Sequence, residues 1–171
     1  MPDKHRFIRK ASLPADGARI LEIFSAARDI MRSLGNLHQW SDDYPSLDAV
    51  RTDIVHDGAY VVVDDGEVVA YFAFLPSPEP TYAHIYDGQW TDDSMPYHVI
   101  HRMASLPDSH GIFGSIIDYC LAQESNVRID THRDNRIMRH LIMKHGFTYC
   151  GIIFLANGDE RLAYQRLAER Y

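Results

Sequence analysis

The chain has 171 residues, 46% hydrophobic and 24% charged, with a net charge of −7. That size and apolar content suit a single domain over residues 1–171 and exclude an intrinsically disordered chain. The acidic balance argues against nucleic acid as a partner, because duplex binding rests on Lys and Arg neutralising phosphates.

Two cysteines, Cys120 and Cys150, lie inside apolar segments and read as buried free thiols of a reducing compartment. The opening MPDKHRFIRK holds no apolar signal segment, and no run approaches membrane-spanning length. The expectation is a cytoplasmic protein without a membrane partner. No repeat, low-complexity tract or Gly/Ser linker marks a domain boundary.

In chain order, Arg6 to Lys10 reads as a strand. Pro14 opens a helix whose buried face is Ile20, Ile23, Phe24, Ala27, Ile30, Met31 and Leu34, and Gly35 ends it. A polar loop from Asn36 to Pro45 carries Trp40 and Tyr44. Ser46 caps a second helix with Leu47, Val50 and Ile54 on one stripe and Gly58 after it. Ala59 to Val63 and Val68 to Leu75 form a hairpin around Asp64-Asp65-Gly66-Glu67, since Asp-Gly is a strong hairpin signal. Pro76, Pro78 and Pro80 then break the sheet pattern, and the stretch to Pro96 reads as an irregular excursion carrying Tyr82, Tyr86 and Trp90. Strand character resumes at Tyr97 to Ala104. Leu106 to Gly111 turns the chain into a helix with Ile116, Ile117, Cys120 and Leu121 on its apolar positions.

Val127 to Gly146 organises the rest. Val127, Ile129 and Thr131 alternate with Arg128 and Asp130, the period of a strand. A polar corner, His132 to Asn135, leads into a helix with Ile137, Met138, Leu141 and Ile142 on one stripe and Gly146 as its stop. Asp130 and His132 thus arrive at a strand end beside a helix mouth, where open α/β sheets tend to bind ligands. Arg128, Arg133, Arg136, Arg139 and Lys144 concentrate here, as an anion site or as a solvated helix face. Phe147 to Leu155, bent at Gly151, and a last strand around Leu162, Tyr164 and Arg166 form a closing hairpin through Asn157-Gly158. The fold class is therefore mixed α/β, with antiparallel pairs first and a β-α-β crossover later.

This order, with the segment His101 to Ser115 and the Asn135-started helix ending in Gly146-Phe147, resembles the GNAT superfamily of N-acetyltransferases over nearly the whole chain. The resemblance implies a central mixed sheet of about six to seven strands flanked by about four helices. It implies acetyl-CoA as cofactor, its pyrophosphate held by backbone N–H groups at a helix N-terminus. The matching cofactor-binding positions are Met103, Ala104, Ser105, His110, Gly111, Ile112, Phe113, Gly114 and Ser115, joined by Asn135 and Met138. It further implies a small-molecule amine as acceptor and admits a homodimer. Two departures stand out. Phe113 occupies the place of a small loop residue, with Gly114 one position later. Ile142 stands where many members carry a tyrosine that acts as general acid.

For a base or proton relay the candidates are His98, His101, Asp130 and His132, with Asp130 and His132 favoured by their place at a strand end. Thr131, Tyr149 and Cys150 are candidate proton donors. The resemblance makes the loop between the first two helices the acceptor wall, offering Gln39, Trp40 and Tyr44, with Trp90 opposing them. The acidic residues Asp42, Asp43, Asp92 and Asp93 would favour a positively charged acceptor, although Trp40 and Tyr44 equally suit a cap on the core edge. No metal site is expected: His140 and His145 are not spaced for one helical face, and no Cys pair has zinc spacing. Nucleophile-elbow and P-loop patterns are absent. Two readings follow: an acetyl-CoA-dependent N-acetyltransferase for a small or amino-acid-like amine, and an acyl-CoA-binding module of the same fold that has lost catalysis.

Overall fold

The computed structural model describes residues 5–168. The elements run β1 (Arg6–Lys10), α1 (Gly17–Ser33), α2 (Leu47–Val55), β2 (Ala59–Asp64), β3 (Glu67–Pro76), β4 (His98–Ser105), α3 (Ile112–Gln123), β5 (Asn126–Thr131), α4 (Arg136–Lys144), β6 (Thr148–Phe154) and β7 (Glu160–Leu167). These seven strands form one sheet in the order β1-β2-β3-β4-β5-β7-β6. Neighbours are antiparallel except β4 and β5, the parallel pair joined through α3. The mixed sheet and four flanking helices match the architecture expected from the sequence. No helix among the described residues is long and apolar enough to cross a membrane.

Strand alternation builds a core on each face of the sheet. In β2, Tyr60 and Val62 join the cluster under α3 and α4, while Ala59, Val61 and Val63 join the cluster under α1 and α2. Ile20, Ile23 and Phe24 of α1 are fully buried in the second cluster. Phe24 packs edge-on against Tyr71 and Trp40, with centroid distances of 5.3 and 5.9 Å. Truncating Phe24 to Ala would cost about 3–5 kcal/mol, transfer and cavity terms together. The β2–β3 turn places Asp65 at φ 51° and Gly66 at φ 84°, the pair of positive values that a two-residue hairpin favours.

Some elements differ from the sequence expectation. The first helix starts at Gly17 rather than Pro14, because the Asp16 carboxylate folds back to accept from Arg9 at 2.8 and 2.9 Å and from the Ser12 N–H at 2.8 Å. In α2 the residue on the buried stripe after Val50 is Asp53, fully buried, while Ile54 is 36% exposed. The fourth strand begins at His98 instead of Tyr97.

The proline-rich excursion is ordered against the sheet. It makes a one-turn 3-10 helix, Pro80–Tyr82, and Tyr86 bridges Ile152 through two 2.8 Å backbone hydrogen bonds. Gly88 passes so close that a Cβ there would lie 1.9 Å from the Cys150 carbonyl oxygen. Trp90 is buried in a third cluster with Tyr82, Val99 and Cys150. Its ring and that of Tyr97 sandwich the Arg128 guanidinium, each centroid 3.8 Å away. Arg128 donates to the Asp92 carbonyl at 3.1 Å and to the Asp93 carboxylate at 2.9 Å. Aromatic faces and acceptors thus replace water around this cation. Arg128 therefore drops out of the basic ligand patch, and Asp93 pairs with it rather than with an acceptor.

Candidate active site

The sheet opens between its two parallel strands. β4 and β5 pair over His98↔Val127, Val99↔Arg128 and Ile100↔Ile129, and then part. Just past that point β4 bulges: Tyr71 of β3 opposes Ala104 and Ala73 opposes His101, so Arg102 and Met103 share the position facing Phe72. A bulge of this kind leaves ladder groups unpaired and re-aims the strand. Arg102 adopts φ 54°, a left-handed conformation that costs a non-glycine residue energy unless its surroundings fix it. They do. The Arg102 guanidinium donates through Nε at 2.9 Å and through Nη2 to the Asp53 carboxylate, and through Nη1 to the Tyr44 hydroxyl at 3.1 Å. Tyr71 donates its hydroxyl to the same Asp53 at 2.6 Å. Burial lowers the Arg102 pKa, but hydrogen bonds and charge from Asp53 and Tyr44 outweigh it and raise it overall.

Two cavities meet at this opening. One, of about 720 Å³, runs between α1, the N-terminus of α3 and α4. Of the cofactor-binding positions expected from the sequence, Met103, Ala104, Ser105, His110, Gly111, Ile112, Phe113, Gly114, Asn135 and Met138 line it. Ser115 does not: its Oγ donates to the Gly111 carbonyl at 3.1 Å and accepts from Arg6 at 3.2 Å. Gly111 is the N-cap of α3 at φ 69°, a conformation that favours glycine. Phe113 is 6% exposed, its ring edge-on to His145 at 4.9 Å and anchored in the core beneath the loop. Asn135 caps α4 by accepting from the Met138 N–H at 3.1 Å.

The second cavity, of about 600 Å³, lies on the other side of the opening and shares Met31, Met103, Asn135 and Met138 with the first. Gln39, Trp40 and Tyr44 form one wall, as the sequence suggested. The Gln39 carboxamide oxygen accepts from Asn36 at 2.9 Å and from Asn135 at 3.1 Å, tying that wall to α4. Trp40 is both wall and core, being 8% exposed and packed on Phe24.

An acid–base cluster occupies the same cavity. Alternation places Val99 and His101 on the sheet face covered by Tyr82, and β5 sends Asp130 there too. His101 Nε2 lies 3.2 Å from Glu79 Oε2, and its Nδ1 lies 4.0 Å from Asp130 Oδ2. Tyr82 donates its hydroxyl to Asp130 at 2.5 Å, and burial together with the Asp130 charge pushes that hydroxyl's pKa well up. Burial pushes the Glu79 carboxyl up, yet the hydrogen bonds from His101 and Thr81 prevail and hold it at about 2. An imidazole flanked by two carboxylates at a cavity wall can pass a proton.

The other expected catalytic and binding residues lie elsewhere. His98 shares a face with Ile100, packs on Phe74 at 4.7 Å and sits 3.5 Å from Glu124, lining neither cavity. His132 also lines neither: its Nδ1 accepts from the Asp134 N–H at 3.0 Å, and burial and then Arg161 lower its pKa. Trp90 is taken by the core and Arg128. Asp42 pairs with Arg32 at 2.7 Å. Thr131 lines the second cavity, whereas Tyr149 and Cys150 do not. Ile142 is fully buried, so no acid is offered from its position. Glu79, Asp53 and Arg161 line or brace the site without having been singled out from sequence. Only Asp53 left a trace there, in its helical spacing from Val50.

Neither a protein-family model nor a curated protein matches the chain. Solved structures do. An acetyltransferase of the GNAT family from Bacillus cereus is 17% identical, with a TM-score of 0.61 over 96% of this chain and 99% of that one. One from Listeria monocytogenes is 16% identical, with a TM-score of 0.67 over 95% and 94%. These two share the fold. A GNAT-family acetyltransferase from Streptococcus agalactiae is 30% identical, with a TM-score of 0.87 over 96% of both chains. With that identity sustained end to end on one architecture, the chain belongs to the GNAT family of acetyltransferases.

Proposed function

We propose that the protein is an acetyl-CoA-dependent N-acetyltransferase acting on the amine of a small molecule. The observation that carries this reading is the meeting of two cavities at the β4 bulge, where a donor and an acceptor site share Met103, Asn135 and Met138. The residues present suit acetyl-CoA. The first intrahelical bond of α3 runs from the Ser115 N–H to the Gly111 carbonyl at 3.2 Å. The N–H groups of Ile112, Phe113 and Gly114 therefore stand ahead of the ladder as donors for a pyrophosphate. Arg136 and Lys144 line the same cavity and add positive charge.

When bound, acetyl-CoA supplies the acetyl group in activated form as a thioester. The backbone groups freed by the Arg102–Met103 bulge are donors for negative charge developing on a carbonyl oxygen. His101, held between Glu79 and Asp130, takes the proton that the amine must lose. A thiol is acidic enough to leave as thiolate without a dedicated acid, so the buried Ile142 is no obstacle.

The test is thermal unfolding with and without excess acetyl-CoA and CoA, followed by CoA release across an amine panel. A ligand specific to the folded state adds about 2.7 kcal/mol of stability at a hundredfold excess over its Kd. A raised midpoint with CoA release supports the transferase. A raised midpoint without turnover of any amine supports the second reading, an acyl-CoA-binding module of the same fold. An unchanged midpoint overturns both.

A further inference from the structure

The second cavity holds a cation that, among the described residues, is in an ion pair with no acid. Arg161 of β7 lines it and is 5% exposed. Its Nη1 donates to the Glu160 carbonyl at 2.8 Å and its Nη2 to the Gln39 carbonyl at 3.1 Å. Among the described residues Arg161 forms no ion pair, whereas Arg102 pairs with Asp53 and Arg133 with Glu160. Asp159 also lines the cavity, but it is exposed and its carboxylate accepts from Asn157 at 3.0 Å. A guanidinium withdrawn from water and left on neutral carbonyls is costly, and an anion entering the cavity offsets that cost. The planar fork of an arginine suits a carboxylate in particular.

Register supplies the spacing. Ala163 of β7 faces Asp130 of β5, so Arg161 is the diagonal neighbour of Asp130 on the same sheet face. Such neighbours stand about 7–8 Å apart at the backbone. The cavity therefore has an acidic end, with Glu79 and Asp130 about His101, and a cationic end at Arg161. We propose that Arg161 is the docking point for the carboxylate of an amino acid acceptor, whose amine lies at the acidic end. The assignment deepens the transferase reading and rests on it for the reaction, but not for the binding.

Calorimetric titration decides it. Free amino acids of small, aliphatic, aromatic and basic side chain are titrated into the wild type, with and without CoA, beside the matching amino acid amides. At least one free amino acid binds about tenfold or more tightly than its amide, the range of a hydrogen bond to a charged group. Arg161→Gln abolishes that preference, and Arg161→Lys, which keeps the charge should the first variant fold poorly, retains part of it. Equal binding of acids and amides, binding of neither, or a preference undiminished in folded Arg161→Gln overturns the assignment. Failure of the wild type to bind acetyl-CoA overturns the transferase reading instead, and leaves the acid-against-amide comparison decisive for Arg161.

Discussion

Asp53, fully buried on α2, accepts hydrogen bonds from the guanidinium of Arg102, the residue that β4 holds at φ 54° in its bulge. A helix on one face of the sheet thereby fixes the backbone at the opening between β4 and β5. Asp53→Asn keeps the shape but leaves the partly buried Arg102 guanidinium without its counter-ion, a loss of about 3 kcal/mol, the lower end for a buried pair. Asp53 is a positioning residue, so kcat should fall at least tenfold while the acetyl-CoA midpoint shift persists, on the scale of removing one well-placed donor. Equal losses in kcat and in cofactor binding would mean that the ion pair serves stability alone.

His101 is the predicted proton acceptor. His101→Gln preserves a polar side chain but cannot take up a proton, and kcat should drop by about 10²-fold or more with little change in acceptor KM. Glu79→Gln should give a smaller loss, because it removes the charge 3.2 Å from the ring and leaves Asp130 in place. Steady-state kinetics at saturating acetyl-CoA check both, and wild-type turnover in His101→Gln would move the base elsewhere.

Stability should fall on the acid side in two windows. The folded state holds the pKa values of His98 and His132 below the ordinary 6.5, burial being the largest cause for each. Below pH 6.5 the unfolded chain thus binds more protons than the folded one, and stability declines as pH falls. Glu79 acts in the same direction lower down: its contribution is complete above the ordinary 4.5 and disappears as pH falls through about 2. Urea midpoints at pH 7.5, 6.0, 5.0 and 3.5 trace the decline, and His98→Gln should flatten only its upper part.

Trp40 and Trp90 separate wall from core. Trp40→Phe should raise acceptor KM, since Trp40 lines the acceptor cavity. Trp90→Leu should destabilise the fold by about 1–3 kcal/mol through lost stacking on Arg128, leaving KM unchanged. A KM effect from Trp90→Leu alone would reverse the two roles.

The architecture was legible because its signals are local. The Asp65-Gly66 hairpin tip, the alternation through Val127 to Thr131 and the Asn135 cap each dictate backbone within a few residues. The loop positions around Gly111 came from the resemblance to the GNAT superfamily, and all but Ser115 line the first cavity. The acid–base cluster was not, because it depends on which face meets which cover. His98 and His101 look alike along the chain, and only the sheet shows that Val99 and His101, before the bulge, point to Tyr82 while His98 and Ile100 point away. Glu79, between Pro78 and Pro80, belongs to a stretch without periodicity. Arg102 occupies a positive φ that sequence would assign to glycine, and the buried partner that fixes it lies on another helix.

The short pairing of β4 with β5 divides the sheet mechanically. β1 to β4 and β5 to β7 are joined along their ladder at His98, Val99 and Ile100, and beyond that only by what spans the gap. The excursion is such a span: it leaves β3, grips Arg128 of β5 between Trp90 and Tyr97, and bridges to β6 through Tyr86. It works as a strap across a seam. Native-state hydrogen exchange should accordingly detect an opening along this seam at lower free energy than global unfolding, with amides of the two half-sheets retaining separate protection. Occupants of the two cavities would then act as rivets, and their binding should raise the cooperativity of unfolding along with its midpoint.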